Sequence, residues 1–206
     1  MKVKICGITD KMTAAAAVNY GAAALGFVFA ESKRKIDRKL AREIIHSLPP
    51  GIESVGVFVN ESPEIIEETA LFTGLTMIQL HGDEDEETVD AINLPVIKAF
   101  PYSAESLQKW KGHNARYLLL DAPAGRYRGG NGTSFNWREA EGLGRKVHNL
   151  ILAGGLNPEN VQEAISIVSP AMVDVSSGVE TNGKKDLQKI KKFIENAKNG
   201  GMTNVG

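Results

Sequence analysis

The chain alternates short apolar runs with longer amphipathic stretches from one end to the other. The runs are rich in Val, Ile, Leu and Phe and are bounded by Gly, Pro, Asn or Asp, which is typical of buried β-strands. Eight runs are present, and they begin near Val3, Ala24, Glu53, Met77, Pro95, Tyr117, Asn149 and Met172. The stretches between them repeat apolar residues at helical spacing, as Val161, Ile165 and Val168 do.

Three of the predicted helices have recognisable start signals. Ser62-Pro63 and Asn157-Pro158 each place a capping side chain before a proline at the first helical position. Asp186 is the candidate cap of the last helix. The chain therefore reads as strand followed by helix, repeated eight times.

The length of the chain favours one architecture. A strand, a helix and two connections take roughly 20–30 residues, so eight units account for all 206 residues. Alternating strands and helices indicate a parallel sheet, and eight units favour a closed (β/α)8 TIM barrel. A doubly wound open sheet is the alternative, although no G-x-G-x-x-G follows the first strand. We predict one barrel domain over residues 1–199 and a flexible tail over residues 200–206.

Composition narrows the classes of function. A net charge of −1 gives no electrostatic footprint for nucleic acid, and no apolar stretch approaches the ~18 residues that cross a bilayer. Cys6 is the only cysteine, so no internal disulfide forms, and the first strand starts too early for a cleavable leader. We therefore predict a cytoplasmic protein. The scattered histidines show no ligand spacing, so no metal site is expected: His46, His81, His113 and His148.

In a parallel barrel the carboxyl ends of all strands lie on one face, which makes the residues ending each run candidate pocket residues. These are Cys6, Phe29, Asn60, Gln79, His81, Phe100, Asp121, Gly154, Gly155, Ser176 and Ser177. The longest interval between strands contains Gly125 to Gly132, including Gly130 and Gly132, and indicates a mobile loop over that face, although its glycines are equally compatible with ordinary turns.

Two glycine-containing segments follow the last two strands. Gly154 and Gly155 follow strand seven, and Ser176, Ser177 and Gly178 follow strand eight. Backbone N–H groups freed by such turns bind phosphate without a basic side chain, and barrels commonly bind phosphate there. Either segment alone is more often a tight turn, but together they predict a phosphate site and therefore a (β/α)8 TIM barrel of the phosphate-binding type.

Several single residues allow both a structural and a chemical interpretation. Cys6 is either a small buried hydrophobic residue or a reactive thiol. Asp121 follows three leucines, so its carboxylate needs a partner or a task, and the leucines are expected to provide apolar surroundings. His81 either shapes the turn that follows the fourth strand or takes part in catalysis. Lys98 is either a core lysine paired with an acid or a lysine that forms a Schiff base.

Charged residues suggest two further features. Lys4 lies two residues before Cys6, and Asp174 lies two residues before Ser176, so each side chain points to the same face of its strand as the pocket residue that follows. The two strands would be neighbours, which suggests a buried ion pair below the pocket. Arg34 lies in a basic cluster directly after the second strand. Its planar fork can hold a carboxylate bidentately, whereas a solvated surface is the usual role of such a cluster.

These segments together resemble the phosphoribosylanthranilate isomerase family of tryptophan biosynthesis. The matching segments are Val3–Thr9, Gly26–Phe29 with Ser32 and Arg34, Val55–Asn60, Gln79–Gly82, Leu118–Asp121, Gly129–Gly132 with Phe135 and Trp137, Leu152–Val161, and Asp174–Glu180. They occur in order along nearly the whole chain. One departure is Asn136, where the family usually has aspartate.

The resemblance implies an Amadori rearrangement that needs no cofactor. It implies that Asp121 is the general acid that opens the ribose ring and that Cys6 is the general base that removes the C2 proton. Arg34 would hold the anthranilate carboxylate, with Gln79, His81, Gly130 and Gly132 among the substrate-binding residues. The backbone of Gly154, Gly155, Ser176, Ser177 and Gly178 would hold the phosphate.

This role makes physical demands and leaves alternatives. An aspartic acid that donates a proton near neutrality needs a dry or anionic pocket, and the thiol of Cys6 needs a cation or dipole to ionise. The alternatives are another phosphosugar enzyme, such as an epimerase or an aldolase using Lys98, and a sugar-phosphate-binding protein without turnover. The predicted partner is a small phosphosugar, and the protein is expected to be a monomer or a homodimer.

Overall fold

The computed structural model describes residues 1–121 and 137–200. Eight parallel strands form a closed barrel, in which each strand pairs with its neighbours in chain order and β8 closes on β1. The strands are β1 (Lys2–Cys6), β2 (Ala24–Val28), β3 (Glu53–Phe58), β4 (Met77–Leu80), β5 (Val96–Pro101), β6 (Tyr117–Asp121), β7 (Leu150–Leu152) and β8 (Met172–Val175). The predicted (β/α)8 TIM barrel is confirmed, and the open sheet is excluded because the ring is closed.

Helices connect the strands and cover the outside of the barrel. They are α1 (Lys11–Tyr20), α2 (Arg38–Ile45), α3 (Pro63–Thr73), α4 (Glu86–Asp90), α5 (Ala104–Trp110), α6 (Leu143–Lys146), α7 (Val161–Val168) and α8 (Leu187–Gly200). Short 3₁₀ turns cover Trp137–Ala140 and Ser177–Val179. A small antiparallel hairpin, β9 (Glu180–Thr181) and β10 (Lys184–Lys185), lies in the connection between β8 and α8.

Two of the three predicted helix starts are confirmed. Ser62 Oγ accepts the Ile65 N–H at 3.4 Å, and Asp186 Oδ1 accepts backbone N–H groups of the first turn of α8 at 3.0 and 3.1 Å. The third predicted start, with Pro158 as the first helical residue, lies three residues before the observed one. Asn157 Oδ1 accepts the N–H groups of Glu159 and Asn160, which makes a local turn, and α7 begins only at Val161.

Alternation along each strand separates two apolar layers. One layer fills the barrel interior and consists of Ala24, Val55, Met77, Ile97, Ala99, Leu119, Ile151, Ala153 and Met172. The other lies between the barrel and its helices and includes Ile5, Leu25, Ile78, Leu118 and Leu120. A side chain's parity along its strand therefore decides whether it faces the interior or the helices.

Lys98 follows this rule and points into the outer layer, because its neighbours Ile97 and Ala99 face inward. Its ammonium donates to Glu84 Oε2 at 2.6 Å and to the Gly82 carbonyl at 2.7 Å, and both charged side chains are almost fully buried. Burial disfavours the Glu84 carboxylate, but Lys98 and the backbone N–H of Asn60 outweigh burial, and the net result is a lowered pKa of Glu84. The core-lysine interpretation is the one observed.

The Glu84 carboxylate also joins the ends of two strands. Its Oε1 accepts the N–H of Asn60 at 2.9 Å, and its Oε2 accepts that of Gly82 at 2.9 Å. Asn60 itself has a positive φ of 51°, and its side-chain oxygen accepts the Asp83 N–H at 2.8 Å. This buried charge therefore fixes the segment that follows β4, which carries His81.

The predicted domain boundary differs from the structure at one residue. Gly200, assigned to the tail, is the buried last residue of α8, because it packs closely against Gln162 of α7. Residues 201–206 lie outside the described residues. Within the two described segments, no helix combines the length and the apolar character that a membrane crossing requires.

We expect Lys98→Met to lower the free energy of unfolding by about 3–5 kcal/mol, because it leaves the Glu84 carboxylate buried without its counter-charge. Urea unfolding followed by circular dichroism measures this. The double variant Lys98→Met/Glu84→Gln should recover much of the loss, since glutamine keeps an acceptor for the backbone N–H groups. Lys35→Met, which removes an exposed pair with Glu31, is the control and should cost at most about 1 kcal/mol. A Lys98→Met loss no larger than that of the control would contradict the assignment.

Candidate functional site

Cys6 ends β1 with its side chain inside the carboxyl-terminal mouth of the barrel. It is 8% exposed and packs with Val28 and Val57 on the neighbouring strands. Gly26 lies opposite Cys6 on β2, and a Cβ there would come within 2.7 Å of the sulfur. A glycine at this position therefore makes room for the thiol.

The buried ion pair predicted below the pocket is present. Lys4 Nζ donates to Asp174 Oδ1 at 3.0 Å, and Lys4 has no solvent exposure. Lys4 and Asp174 are register partners on β1 and β8, one layer below Cys6. Burial opposes the charge on Lys4, but Asp174 and the nearby Cys6 outweigh burial and raise the pKa of Lys4. A permanent ammonium group therefore lies under the thiol.

Two cations near Cys6 favour its ionised form, but in the free protein they do not lower its pKa below the ordinary value. Burial raises the pKa of Cys6, and the charge of Asp174 raises it further. Lys4 and Lys185 act in the opposite direction. The net direction is upward, so Cys6 is mainly a thiol at neutral pH. The expectation of cationic help is met in part, because burial outweighs it.

Asp121 ends β6 at the same mouth and contacts His81 from the end of β4. His81 Nε2 lies 3.1 Å from Asp121 Oδ2, and both side chains are more than one third exposed. The expectation that three leucines give Asp121 apolar surroundings is wrong for two of them, because Leu118 and Leu120 point to the outer layer. Only Leu119 lies below Asp121 in the barrel interior.

The orientation of the Gln79 amide decides which ring nitrogen of neutral His81 carries the proton. The Gln79 amide nitrogen lies 2.9 Å from His81 Nδ1, and an amide nitrogen only donates, so the ring proton resides on Nε2 and is donated to Asp121. Gln79 Oε1 is buried and has no partner among the described residues. Exchanging the amide nitrogen and oxygen would let Oε1 accept from Nδ1 and leave Nε2 to accept a proton from Asp121. The same three residues can thus support either a carboxylate or a carboxylic acid.

The two glycine-containing segments form one surface at the mouth. Gly154 and Gly155 adopt positive φ angles of 79° and 65°. A Cβ at Gly178 would come within 1.8 Å of the Leu156 carbonyl oxygen, so the two segments touch. Ser176 Oγ donates to the Cys6 carbonyl at 3.1 Å, which joins this surface to β1.

The backbone donors of this surface are unused within the described part of the chain. The N–H groups of Gly154, Gly155, Ser177 and Gly178 donate to no other residue that the structure describes. Convergent free N–H groups are the donors that bind a phosphate dianion. The arrangement is therefore able to hold an anion without a basic side chain.

Arg34 lies at the rim of the mouth, and it already holds a carboxylate of the protein. Its Nε and Nη2 donate to the two carboxylate oxygens of Glu180 at 2.6 and 2.9 Å. Lys185 Nζ donates to the same Glu180 Oε1 at 2.7 Å. The hydrogen bonds from Arg34 are the main cause of a lowered pKa of Glu180, which is about 2. Burial raises this pKa, and Lys185 lowers it further.

Glu180 and Lys185 were not identified as functional residues from the sequence. Glu180 occurs in the segment that carries the resemblance, and Asn182-Gly183 is a hairpin turn signal that would have placed Lys185 opposite Glu180. Two other residues predicted to line the pocket, Phe29 and Phe100, lie in apolar contacts. Phe29 stacks on Phe58 at 5.3 Å between ring centroids, and Phe100 points to the outer layer.

Part of the predicted site falls in the segment between Asp121 and Trp137. Gly130, Gly132, the loop Gly125 to Gly132, and Asn136 lie outside the described residues. In the part of the chain that is described, no group of three or more His, Cys, Asp or Glu side chains is arranged to hold a metal ion.

The fold and the mouth define a class: a single (β/α)8 barrel of the enzyme type, with its polar and reactive side chains at the carboxyl ends of the strands. Residues 3–196 match the family model of N-(5'-phosphoribosyl)anthranilate (PRA) isomerase. The chain is 54% identical over 200 residues to the N-(5'-phosphoribosyl)anthranilate isomerase of Bacillus cereus strain AH187, covering 96% of this chain and 98% of the relative.

Among the similar solved structures, two that cover 97% of this chain and 99% of theirs illustrate the match. One is a phosphoribosyl anthranilate isomerase in complex with reduced 1-(o-carboxyphenylamino)-1-deoxyribulose 5-phosphate, with a TM-score of 0.82 and 44% identity. The other is a monomeric form of the dimeric phosphoribosylanthranilate isomerase from Thermotoga maritima, with a TM-score of 0.82 and 43% identity. The chain belongs to the phosphoribosylanthranilate isomerase family, the isomerases of tryptophan biosynthesis, as the sequence resemblance predicted.

We expect Glu180→Gln to change the acid dependence of stability. Because Arg34 and Lys185 depress the pKa of Glu180 from 4.5 to about 2, its carboxylate contributes stability that is present above pH 4.5 and is lost as the pH falls through 2. This contribution is at most about 3 kcal/mol, and solvent reduces it because it screens the charge of the partly exposed Arg34. Unfolding free energies measured between pH 2 and 7 should therefore fall less steeply with acid in Glu180→Gln.

The control for this pH series is Glu159→Gln. Glu159 pairs with Lys192 at 3.0 Å, but both side chains are more than half exposed. We expect its unfolding curve to follow that of the unmodified protein within about 1 kcal/mol. Equal acid dependence in the unmodified protein and in Glu180→Gln would show that the Glu180 carboxylate adds no pH-dependent stability.

Proposed function

We propose that this protein converts N-(5-phosphoribosyl)anthranilate into 1-(2-carboxyphenylamino)-1-deoxyribulose 5-phosphate without a cofactor. The observation that carries the proposal is that one barrel mouth holds a thiol, a carboxyl group and a set of free backbone N–H groups. The related structure that binds the reduced product supports the choice of substrate.

Asp121 acts first, as the general acid. It gives its proton to the ribose ring oxygen, the bond from that oxygen to C1 breaks, and the nitrogen lone pair forms a protonated Schiff base. Cys6 acts second, as the general base. The thiol first loses its proton to solvent, and the thiolate then takes the C2 proton, the C–H electrons form a C1–C2 double bond, and the iminium nitrogen becomes neutral. The resulting enol rearranges to the ketone product by gaining a proton at C1 and losing one from oxygen.

His81 supports the acid in this proposal. Asp121 is 38% exposed in its side chain, so its surroundings become dry only when substrate covers it. After proton transfer the new carboxylate accepts the Nε2 proton of His81, a hydrogen bond that favours the charged form. The buried Gln79 amide fixes the ring orientation. Direct contact of Gln79 or His81 with substrate stays a prediction.

Two anchors hold the substrate on either side of the reacting carbons. The free N–H groups of Gly154, Gly155, Ser177 and Gly178, together with Ser176, bind the phosphate. Arg34 binds the anthranilate carboxylate. Fixing both ends of the substrate aligns C1 and C2 with Asp121 and Cys6, which lowers the entropic cost of the reaction.

The other candidate functions lack an equivalent observation. An aldolase using Lys98 is disfavoured because this lysine points away from the barrel interior and is paired with Glu84. A binding protein without turnover would not need both Cys6 and Asp121 at the mouth.

A monomer or homodimer and a cytoplasmic location are also part of the proposal, and sedimentation velocity distinguishes the two assembly states.

We expect Cys6→Ser and Asp121→Asn each to lower kcat by at least ~100-fold, a typical scale for the loss of an acid or a base. Chromatographic quantification of the product formed by purified protein measures the rate. Calorimetry with the reduced product as ligand should show that binding persists in both variants. Turnover that is unchanged in both variants would refute the assignment of acid and base. Ser166→Ala on the outside of α7 is a control for handling and stability.

We expect Arg34→Ala mainly to raise KM, because the residue anchors the substrate away from the reacting carbons. The increase should be at least ~10-fold, the loss of one charge-assisted interaction of about 1.4 kcal/mol or more. Steady-state kinetics over a range of substrate concentrations separates KM from kcat. An effect on kcat alone would contradict the anchoring role.

A further inference from the structure

Glu180 holds one edge of the Arg34 guanidinium and leaves another edge free. A guanidinium group offers two pairs of parallel N–H donors, one along Nε and Nη2 and one along Nη1 and Nη2. Glu180 occupies the Nε and Nη2 pair. Nη1 makes no hydrogen bond or ion pair with any residue that the structure describes, and the Arg34 side chain is 30% exposed. A ligand carboxylate can therefore bind the free edge without displacing Glu180.

The stem of Arg34 is also held in place. A Cβ at Gly7 would lie 2.5 Å from Arg34 Cδ, so the arginine stem crosses the backbone directly after Cys6. Gly7 has a positive φ of 81°, which favours glycine at this point. The Arg34 N–H donates to Ser32 Oγ at 3.1 Å. Stem and head group are thus both fixed beside the thiol.

Glu180 is itself held by the hairpin of β9 and β10. Asn182 and Gly183 form the turn with φ angles of 52° and 75°, which places Lys185 directly opposite Glu180. Lys185 is 4% exposed in its side chain and Glu180 is 9% exposed. Lys185 also donates to the Ser176 carbonyl at 3.0 Å. The hairpin therefore links the carboxylate-binding rim to the segment that carries the predicted phosphate donors.

The charges of this cluster favour a monoanion. Arg34 and Lys185 are cations and Glu180 is an anion, so the three residues carry a net charge of +1. Without Glu180, two uncompensated cations would stand at the rim, and the flexible arginine would lose its fixed orientation. A rigid donor pair binds a planar carboxylate at a smaller entropic cost than a mobile one does.

We propose that Glu180, placed by the hairpin Glu180–Lys185, is a positioning residue that aims the free edge of Arg34 at the carboxylate of the substrate. The inference rests on the proposed role of Arg34. Glu180 does not touch the substrate. It acts through Arg34, so its removal affects substrate binding and not the chemistry at C1 and C2.

The test is Glu180→Gln, alone and combined with Arg34→Ala. Glutamine keeps the shape but loses the charge and one of the two acceptors. We expect KM to rise at least ~5-fold, with kcat changed less than ~3-fold, since a charged bidentate contact becomes a neutral one. In the Arg34→Ala background the same change should have almost no further effect, because the residue acts through the arginine.

A substrate analogue provides the second readout. The aniline analogue, in which the ring lacks its carboxylate, should show the same KM with the unmodified protein and with Glu180→Gln. Glu68→Gln is the matched control, since Glu68 of α3 holds Arg38 of α2 at 2.9 Å in an exposed Arg–Glu pair of the same chemistry. It should leave KM and kcat unchanged.

A second variant covers the case in which Glu180→Gln fails to fold. An added Cβ at Gly183 has no neighbour within 4 Å, but the φ of 75° is strained for any other residue. Gly183→Ala should loosen the hairpin without touching the core, and KM should rise in the same direction by a smaller factor. An unchanged or lowered KM in either variant overturns the positioning role, and a lowered value would mean that Glu180 competes with the substrate.

The outcomes separate this inference from the proposed function. If Arg34→Ala leaves KM unchanged, the anchoring role of the arginine fails. If Arg34→Ala raises KM but Glu180→Gln does not, only the positioning role fails. An equal rise for the carboxylate-free analogue, or an undiminished effect in the Arg34→Ala background, also overturns it.

Discussion

The alternation of side chains around a closed parallel barrel is the constraint on which the site depends. Every second residue of a strand faces inward, and the inward residue nearest the carboxyl end faces the mouth. Cys6 and Asp121 meet both conditions on strands that are distant in sequence. Closure of β8 on β1 places Asp174 beside Lys4 and fixes the charge beneath the thiol.

Three groups of buried or partly buried charges occupy three different positions relative to this barrel. Lys4 and Asp174 lie inside it, Lys98 and Glu84 lie between barrel and helices, and the hairpin cluster lies at the rim. A buried pair gives little net stability, but removal of one member leaves an uncompensated charge. Each group therefore fixes local geometry more than it adds to the free energy of folding. The inner pair supports the thiol, the middle pair supports His81 through its backbone, and the rim supports Arg34.

Features that depend on local patterns were predictable from the sequence. Strand positions follow from apolar runs, and the pairing of Lys4 with Asp174 follows from parity once neighbouring strands are known. The surroundings of Asp121 were not predicted correctly, because three consecutive leucines look uniformly apolar although alternate ones face different layers. The partners of Arg34 were missed for a different reason. A carboxylate far along the chain and a two-residue strand leave almost no periodic signal, and the contact exists only in the folded chain.

The proposed order of the two proton transfers resolves the apparent weakness of Cys6 as a base. Burial keeps Cys6 mainly a thiol in the free protein, in spite of Lys4 and Lys185. Ring opening by Asp121 creates a positive iminium group next to C2, inside the same mouth. That charge acidifies the C2 proton and also stabilises a thiolate nearby, because opposite charges interact strongly where water is excluded. The acid step therefore supplies the cation that the base step needs, and a thiol that is un-ionised before substrate binds is protected from unwanted reactions.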